Sequence, residues 1–336
     1  MAHPYARIMV NHRMIDVNGI RLHIAEQGEG PLVVLLHGFP ESSYSWRHQF
    51  GPLAAAGFRV VAPDQRGYGR SDRPESVDAY TILHLVGDVI GLIHALGEET
   101  AYVVGHDWGA PVAWHTALLR PDVVRGVAGL SVPPPFRGER PPLDAMDEMF
   151  DGQFYWNYFA QPGVADAEFG RDARGSLRKF LYSASGDAPG AGSGRQPLVA
   201  PGRGFLDGMP DPEVLPGWIT EADLDVFAEE FAPGFTGALN WYRNLDRNWE
   251  LTAALAGRGR QPAGAVHVRR PGCRPRVPRH GRTDREAPRV DAQPAPRAAG
   301  AAGLRTLDTA GATERGERGA GRLPDRAAGR AEDLRD

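Results

Sequence analysis

Cysteine is nearly missing from this chain of 336 residues. Cys273 stands alone, which excludes an intramolecular disulfide and fits a reducing compartment. The opening stretch, MAHPYARIMVNHRMIDVNG, lacks the apolar run of roughly 7–15 residues that a signal peptide needs. The longest apolar helical stretch, Leu83 to Leu96, is interrupted by Gly87, Asp88, Gly91 and His94 and is too short to cross a bilayer. These absences predict a soluble, cytoplasmic protein with no membrane partner. Strong charge is missing too: a net −4 exerts no global pull on nucleic acid or anionic lipid.

A second set of absences is local. From Gly257 to Asp336 there is no Phe, Tyr, Trp, Ile, Met, Asn, Ser or Lys, whereas all 29 aromatic residues lie before position 250. Those 80 residues hold 18 Arg, 15 Ala, 12 Gly and 8 Pro. They carry +8 and leave −12 on residues 1–256. So little apolar surface cannot offset the entropy of ordering, so the segment reads as a disordered tail. Arginine-rich disorder can bind phosphate, but no aromatics interleave here, and nucleic acid is not expected as a partner.

What is present is a regular alternation. HRMIDV and IRLHIAE flank Asn18-Gly19 at hairpin spacing. PLVVLL and FRVVAP are buried-strand runs, and SYSWRHQFGPLAAAG between them reads as a helix closed by Gly57. YTILHLVGDVIGLIHALG is a second helix, followed by the strand AYVVGH, the helix WGAPVAWHTALLRPDVV and the strand RGVAGLSVP. Strand and helix in alternation mean an α/β fold, a mostly parallel sheet with helices on both faces. After Pro133 the rhythm changes: PPPFRGERPP is a linker, and LDAMDEMFDGQFYWNYFAQPGV opens a helical, aromatic-rich insertion that continues to about residue 250. GDAPGAGSGRQP within it reads as a mobile loop. The predicted division is a core over 1–133, a helical cap over 134–250 and an aberrant tail over 251–336.

One junction carries the chemistry. Gly105-His106-Asp107-Trp108-Gly109 sits where a strand turns into a helix, with glycines that let the backbones cross closely. Taken alone, Asp107 could be a helix-capping aspartate. LLHGFP, residues 35–40, supplies a second loop after the preceding strand, and DQRGYGRSDRP, residues 64–74, supplies a third. Backbone N–H groups of Phe39 and Trp108 then face one oxygen as an anion site. Pro40 stiffens that turn, Gly38 keeps it open, and His37 reads as a structural hydrogen-bonder. Phe39, Trp46, Trp108 and Trp156 either line an apolar pocket or are plain core.

The stretches HGFPESSYSWRHQ, VVAPDQRGYGRSD, VVGHDWGA, FYWNYFAQPGVADAE and GALNWYRNLDRNW resemble the soluble epoxide hydrolases of the α/β-hydrolase fold, which carry a helical cap. The resemblance covers residues 30–250. It implies that Asp107 is a nucleophile for an epoxide carbon, forming an ester that water later cleaves. It implies that Tyr155 and Tyr242 are cap donors to the epoxide oxygen, although either ring could merely fill space. It implies no cofactor and no metal, and a small apolar epoxide and water as substrates. The elbow's N–H groups are expected to keep Asp107 ionised.

The family also uses a histidine in a Gly-His-aromatic turn and an acid after the first core strand beyond the cap. Neither is recognisable here. His267 and His280 sit among Arg and Pro with no flanking strand expected. Codons allowed for Ala302 to Asp308, read one nucleotide later, spell Pro-Gly-Cys-Gly-His-Trp. The same shift over Pro271 to Val277 permits Arg-Asp-Ala-Asp-Pro-Val. The chain is therefore expected to leave its ancestral frame between about Gly257 and Val266, and to lack the last strands of the core. Two other readings stay open: a haloalkane dehalogenase, which shares an aspartate followed by tryptophan, and a non-catalytic binding module of the same fold.

Overall fold

The computed structural model describes residues 9–134, 137–191 and 197–256 in full, and residues 265–268 as backbone. A seven-stranded sheet runs in the order β1-β2-β4-β3-β5-β6-β7. Its strands are β1 (Asn11–Val17), β2 (Ile20–Gln27), β3 (Leu32–Leu36), β4 (Arg59–Pro63), β5 (Ala101–His106), β6 (Val124–Leu130) and β7 (Ala265–Val268). β1 and β2 form an antiparallel hairpin, β2 pairs antiparallel with β4, and β4-β3-β5-β6-β7 are all parallel. The hairpin turns where the sequence predicts. Asn18 and Gly19 both take positive φ (46° and 78°), the combination a two-residue turn matched to strand twist requires.

Alternating residues of β3 feed two apolar layers. Leu32, Val34 and Leu36 face α2 (Ile82–Ala95) and α3 (Gly109–Leu119), while Val33 and Leu35 face Trp46, Phe50, Val60 and Ala62 on the other side. Asp88, which breaks the apolar face of α2, is buried against Arg66. The guanidinium donates to both its oxygens at 2.7 and 2.6 Å, and Asn18 Nδ2 adds a bond at 2.8 Å. Removing one member of such a buried pair costs about 3–5 kcal/mol, so this trio ties the hairpin, α2 and the loop after β4 together.

Three predicted helices are shorter than expected, each for a local reason. Ser43–Trp46 forms only a 3-10 turn, and α1 spans Phe50–Ala55. Pro52 must lie in a first turn, because its ring would strike the carbonyl of a continuous helix four residues earlier. α3 stops at Leu119 because Arg120 precedes Pro121 and leaves the helical region (φ −131°, ψ 62°). The aromatic-rich helix divides at Asp151-Gly152, both at positive φ, into α4 (Pro142–Phe150) and α5 (Tyr155–Ala160).

The insertion continues as α6 (Val164–Arg171), α7 (Ala173–Ala184), α8 (Glu221–Glu230), α9 (Thr236–Arg243) and α10 (Leu245–Leu251). It seats on the loops at the carboxyl ends of the parallel strands. At Gly67 and Gly237 the two backbones touch: a Cβ on Gly67 would lie 2.8 Å from the Gly237 carbonyl carbon, and one on Gly237 would lie 2.6 Å from the Gly67 oxygen. Trp241 Nε1 donates to Arg66 O at 3.1 Å, Asn244 Nδ2 to Val77 O at 2.7 Å, and Ile82 N to Asn248 Oδ1 at 2.7 Å.

One expectation is corrected. The chain after the cap still supplies a strand, with His267 inside it opposite Gly129 of β6. β6 would otherwise present a row of unpaired backbone groups, and the β-branched valines of Ala-Val-His-Val suit that edge. The His267 side chain, Cys273, His280, the shifted-frame motifs and residues 192–196 of the glycine-rich stretch lie outside the described residues. Among the described residues no helix is long and apolar enough to cross a membrane.

Candidate active site

Asp107 occupies the turn between β5 and α3 with φ 49°, a left-handed conformation that a non-glycine residue adopts only when its surroundings impose it. The surroundings are glycines with no room for a side chain. A Cβ on Gly105 would fall 2.0 Å from Gly109 O, and one on Gly109 would fall 2.1 Å from Leu36 O. One on Gly38 would lie 2.3 Å from Asp107 Cβ and 2.6 Å from its Oδ1. Gly38→Ala is therefore expected to cost about 1–3 kcal/mol by overpacking, seen as a lower urea midpoint. Gly170→Ala is the control: it adds a Cβ with nothing within 4 Å at an exposed position of α6, and should be neutral or stabilising.

The loop after β3 reaches over the elbow. Phe39 N donates to Asp107 Oδ1 at 2.9 Å, and the Trp108 N–H also bonds the carboxylate. The Phe39–Pro40 peptide is cis. His37 is fully buried; its Nδ1 donates to Gly38 O at 2.9 Å, leaving Nε2 to accept from Gln65 N at 3.0 Å. With both nitrogens occupied and burial pushing its pKa down, it is a neutral brace between the loops after β3 and β4.

At Asp107 the expected N–H donors work against desolvation. Burial is the largest influence and raises its pKa, outweighing the lowering by His106 and by the Phe39 and Trp108 N–H groups, while Glu41 raises it further. The hydrogen bonds expected to hold the carboxylate ionised are present, and they act against the desolvation of a partly buried site.

From the cap, Tyr242 on α9 stands edge-on to Trp108 (centroids 5.1 Å) and to Phe39 (5.5 Å). Tyr155, at the start of α5, lies 6.0 Å from Tyr242 by centroids. Both phenols are pushed up in pKa, first by burial; Asp107 contributes to each, and the Tyr155 ring adds to Tyr242. They are protonated across the neutral range and can only be donors to an anionic oxygen. The Trp108 and Trp156 indoles bond towards the Tyr242 and Tyr155 hydroxyls respectively. Phe39 also packs on Phe159, Phe169 and Phe180, so the core loop inserts into the aromatic centre of the cap.

Trp46 is the exception among the proposed pocket residues. It is 2% exposed and packs with Val33, Leu35, Phe50 and Val60 on the face of the sheet away from Phe39 and Trp108. It is core, because the 3-10 turn that carries it folds behind β3. A pair that sequence reasoning passed over lies beside the nucleophile position: His106 Nδ1 meets Glu41 Oε2 at 3.1 Å, and that same oxygen accepts from Gly38 N at 3.1 Å. Glu41 keeps the His106 imidazole charged more readily than usual, against its burial. The only signal was two polar residues inside otherwise apolar motifs. Among the described residues no three His, Cys, Asp or Glu side chains group as a metal site.

A strained acid at a strand–helix elbow, N–H donors from the preceding βα loop, and a helical insertion over the carboxyl ends of a parallel sheet together define an α/β-hydrolase. Residues 31–177 match the family described as alpha/beta hydrolase fold. Epoxide hydrolase A of Mycobacterium tuberculosis is 50% identical over 251 residues, 73% of this chain and 77% of that protein. Epoxide hydrolase 2 of Siraitia grosvenorii is 43% identical over 253 residues, 74% of this chain and 77% of the relative. The solved structure of an epoxide hydrolase from an endophytic Streptomyces superposes with a TM-score of 0.71 at 52% identity, covering 74% of this chain and 76% of that one. The chain belongs to the epoxide hydrolase family of the α/β-hydrolase fold.

Proposed function

We propose that this chain opens a small apolar epoxide through an ester on Asp107, the route to a vicinal diol, without cofactor or metal, in the cytoplasm. The observation that carries the reading is the placement of Tyr155 and Tyr242 over a carboxylate on a strained elbow. Asp107 Oδ1 is held by Phe39 N, which leaves Oδ2 to attack. A bond forms from Oδ2 to the epoxide carbon as the ring C–O bond breaks. The electron pair goes to the ring oxygen, where the two phenol hydroxyls meet the developing negative charge. Both donors stabilise the opened oxygen more than the closed ring, so they act on the rate of opening.

Completing the cycle needs water at the ester carbonyl, with the oxyanion received by the N–H groups of Phe39 and Trp108 and a base taking the water's proton. Residues whose side chains are described supply the N–H groups. The Gly-His-aromatic turn and the acid that the family uses are not recognisable in this sequence.

A dehalogenase would require donors for a halide in place of two phenols, and Tyr242 in NWYRN does not suit that. The test is direct. Styrene oxide should yield alkylated Asp107 or diol, and a chloroalkane should release no halide. Halide release without reaction on the epoxide would overturn the reading.

A further inference from the structure

A buried cluster of ionisable groups at the seam between cap and core has no part in the chemistry above. Asp64, in the loop after β4, is completely buried and accepts from four directions. His23 Nδ1 lies 2.7 Å from Oδ2, Ser43 N donates to Oδ1 at 2.9 Å, Arg70 N donates to Oδ2 at 3.0 Å, and Ser71 Oγ bonds its backbone carbonyl. A Cβ on Gly69 would sit 2.2 Å from Oδ2, so the loop is wrapped tightly around this carboxylate. These contacts hold the Asp64 carboxyl down to about 2, against its burial. His23 Nε2 in turn meets His12 Nδ1 at 3.1 Å, with the rings stacked at 5.2 Å.

The cap lowers a second carboxylate onto this site. Glu230 is the last residue of α8 and is 8% exposed, and its Oε2 is buried with no hydrogen-bond partner. Arg73 Nη2 holds its backbone carbonyl at 3.1 Å and also bonds Gly69 O, so the helix end is clamped over the loop that cradles Asp64. From the core, Asp64 repels the Glu230 charge and Arg70 attracts it, and Ser42 bonds the carboxyl; Arg73 and Tyr44 also lie within electrostatic range. From its own helix Glu229 repels it. His23 is already committed to Asp64 and His12 to His23, so neither offers Glu230 a partner. A buried carboxylate oxygen with no hydrogen-bond partner, within electrostatic range of the ionised Asp64, favours the protonated form of Glu230 in the seated cap.

We infer that Glu230 and Asp64 form a pH-operated latch between α8 of the cap and the loop after β4, closed when Glu230 is protonated and loosened when it ionises. The carboxyl of Glu230 is pushed up to about 7, mainly by burial and then by Asp64. In a released α8 it would return to its ordinary 4.5. A group whose pKa is raised in the closed state stabilises that state fully below the lower value and loses the contribution as pH climbs through the upper one. The window is therefore pH 4.5 to 7, and loosening is complete just above neutrality. Tyr242 follows on α9, joined to α8 by Phe231 and Phe235, whose rings stack at 4.5 Å. The latch thus acts on the element that carries one of the two phenols.

Hydrogen exchange on the full-length chain tests this, with rates corrected for the intrinsic pH dependence of amide exchange. In the wild-type protein the opening constant at the end of α8 should rise roughly tenfold between pH 6 and 8, as a raised carboxyl titrates. Glu230→Gln, isosteric and uncharged, should flatten that dependence while leaving the segment protected. Glu229→Gln, exposed on the next position, should keep it. A wild-type profile flat across this range, or Glu230→Gln with the wild-type slope, would overturn the latch. The wild-type profile decides by itself should Glu230→Gln fail to fold.

Discussion

Incubated with styrene oxide, the full chain is expected to gain the mass of one epoxide on Asp107 and to keep it. The reason is an asymmetry between the two halves of the proposed reaction. Opening the ring asks for a carboxylate and two hydroxyl donors, and all three groups converge at one end of the sheet. Cleaving the ester asks for a water deprotonated by a positioned base, a contribution of about 10²–10⁴ in rate. The Gly-His-aromatic turn that bears the family's base is not legible in residues 257–336. Loss of the base alone should lengthen the life of the ester by that factor. Intact-mass and peptide mass spectrometry would locate the label; Asp107→Asn should abolish it, since an amide is a far weaker nucleophile. Rapid, steady diol formation with no trapped mass would show that a base is supplied after all.

Replacing the cap phenols should have the next largest effect. Tyr155→Phe and Tyr242→Phe each remove one hydroxyl from the path of the leaving oxygen while keeping the ring that packs on Phe159, 5.4 and 5.0 Å away respectively. Loss of one preorganised donor to a developing oxyanion costs roughly 10²–10³ in rate. Single-turnover labelling of Asp107 should slow by about that much for each, with an unchanged thermal midpoint. The double variant should be slower than either but short of the product, because two donors to one oxygen act as a unit. Labelling at the wild-type rate in either single variant would make that tyrosine a packing residue and remove it from the chemistry.

The local elements were readable wherever one short stretch settles the matter. The Asn18-Gly19 turn, the all-apolar β3 and the Gly-x-Asp-x-Gly elbow are such cases, because backbone conformation there depends on neighbours in the chain. Helix ends were less readable, although Pro52, Pro121 and Asp151-Gly152 were visible punctuation. A continuous apolar pattern had outweighed them. Trp46 stayed open between pocket and core in the sequence because an aromatic residue does not declare which of two sheet faces it will cover, and the structure puts it in the core. The brace of His37 on the loop after β4, and the pairing of His106 with Glu41, join residues 28 and 65 positions apart and needed the sheet to be assembled first.

By itself the sequence determined the fold class, the strand–helix alternation, the identity of the acid on the elbow and the abrupt change of composition after residue 256. Those follow from hydrophobic periodicity and from glycines that no other residue can replace, which are properties of contiguous chain. Only the tertiary structure decided what charge each group can carry. Asp107 is raised by burial despite its N–H donors, Asp64 is lowered by His23 of β2, Arg70 of its own loop and Ser43 beyond β3, and Glu230 is raised by burial under the cap and then by Asp64. Ionisation depends on the water excluded and the charges brought near, and both are set by contacts between segments as far apart as β2 and α8.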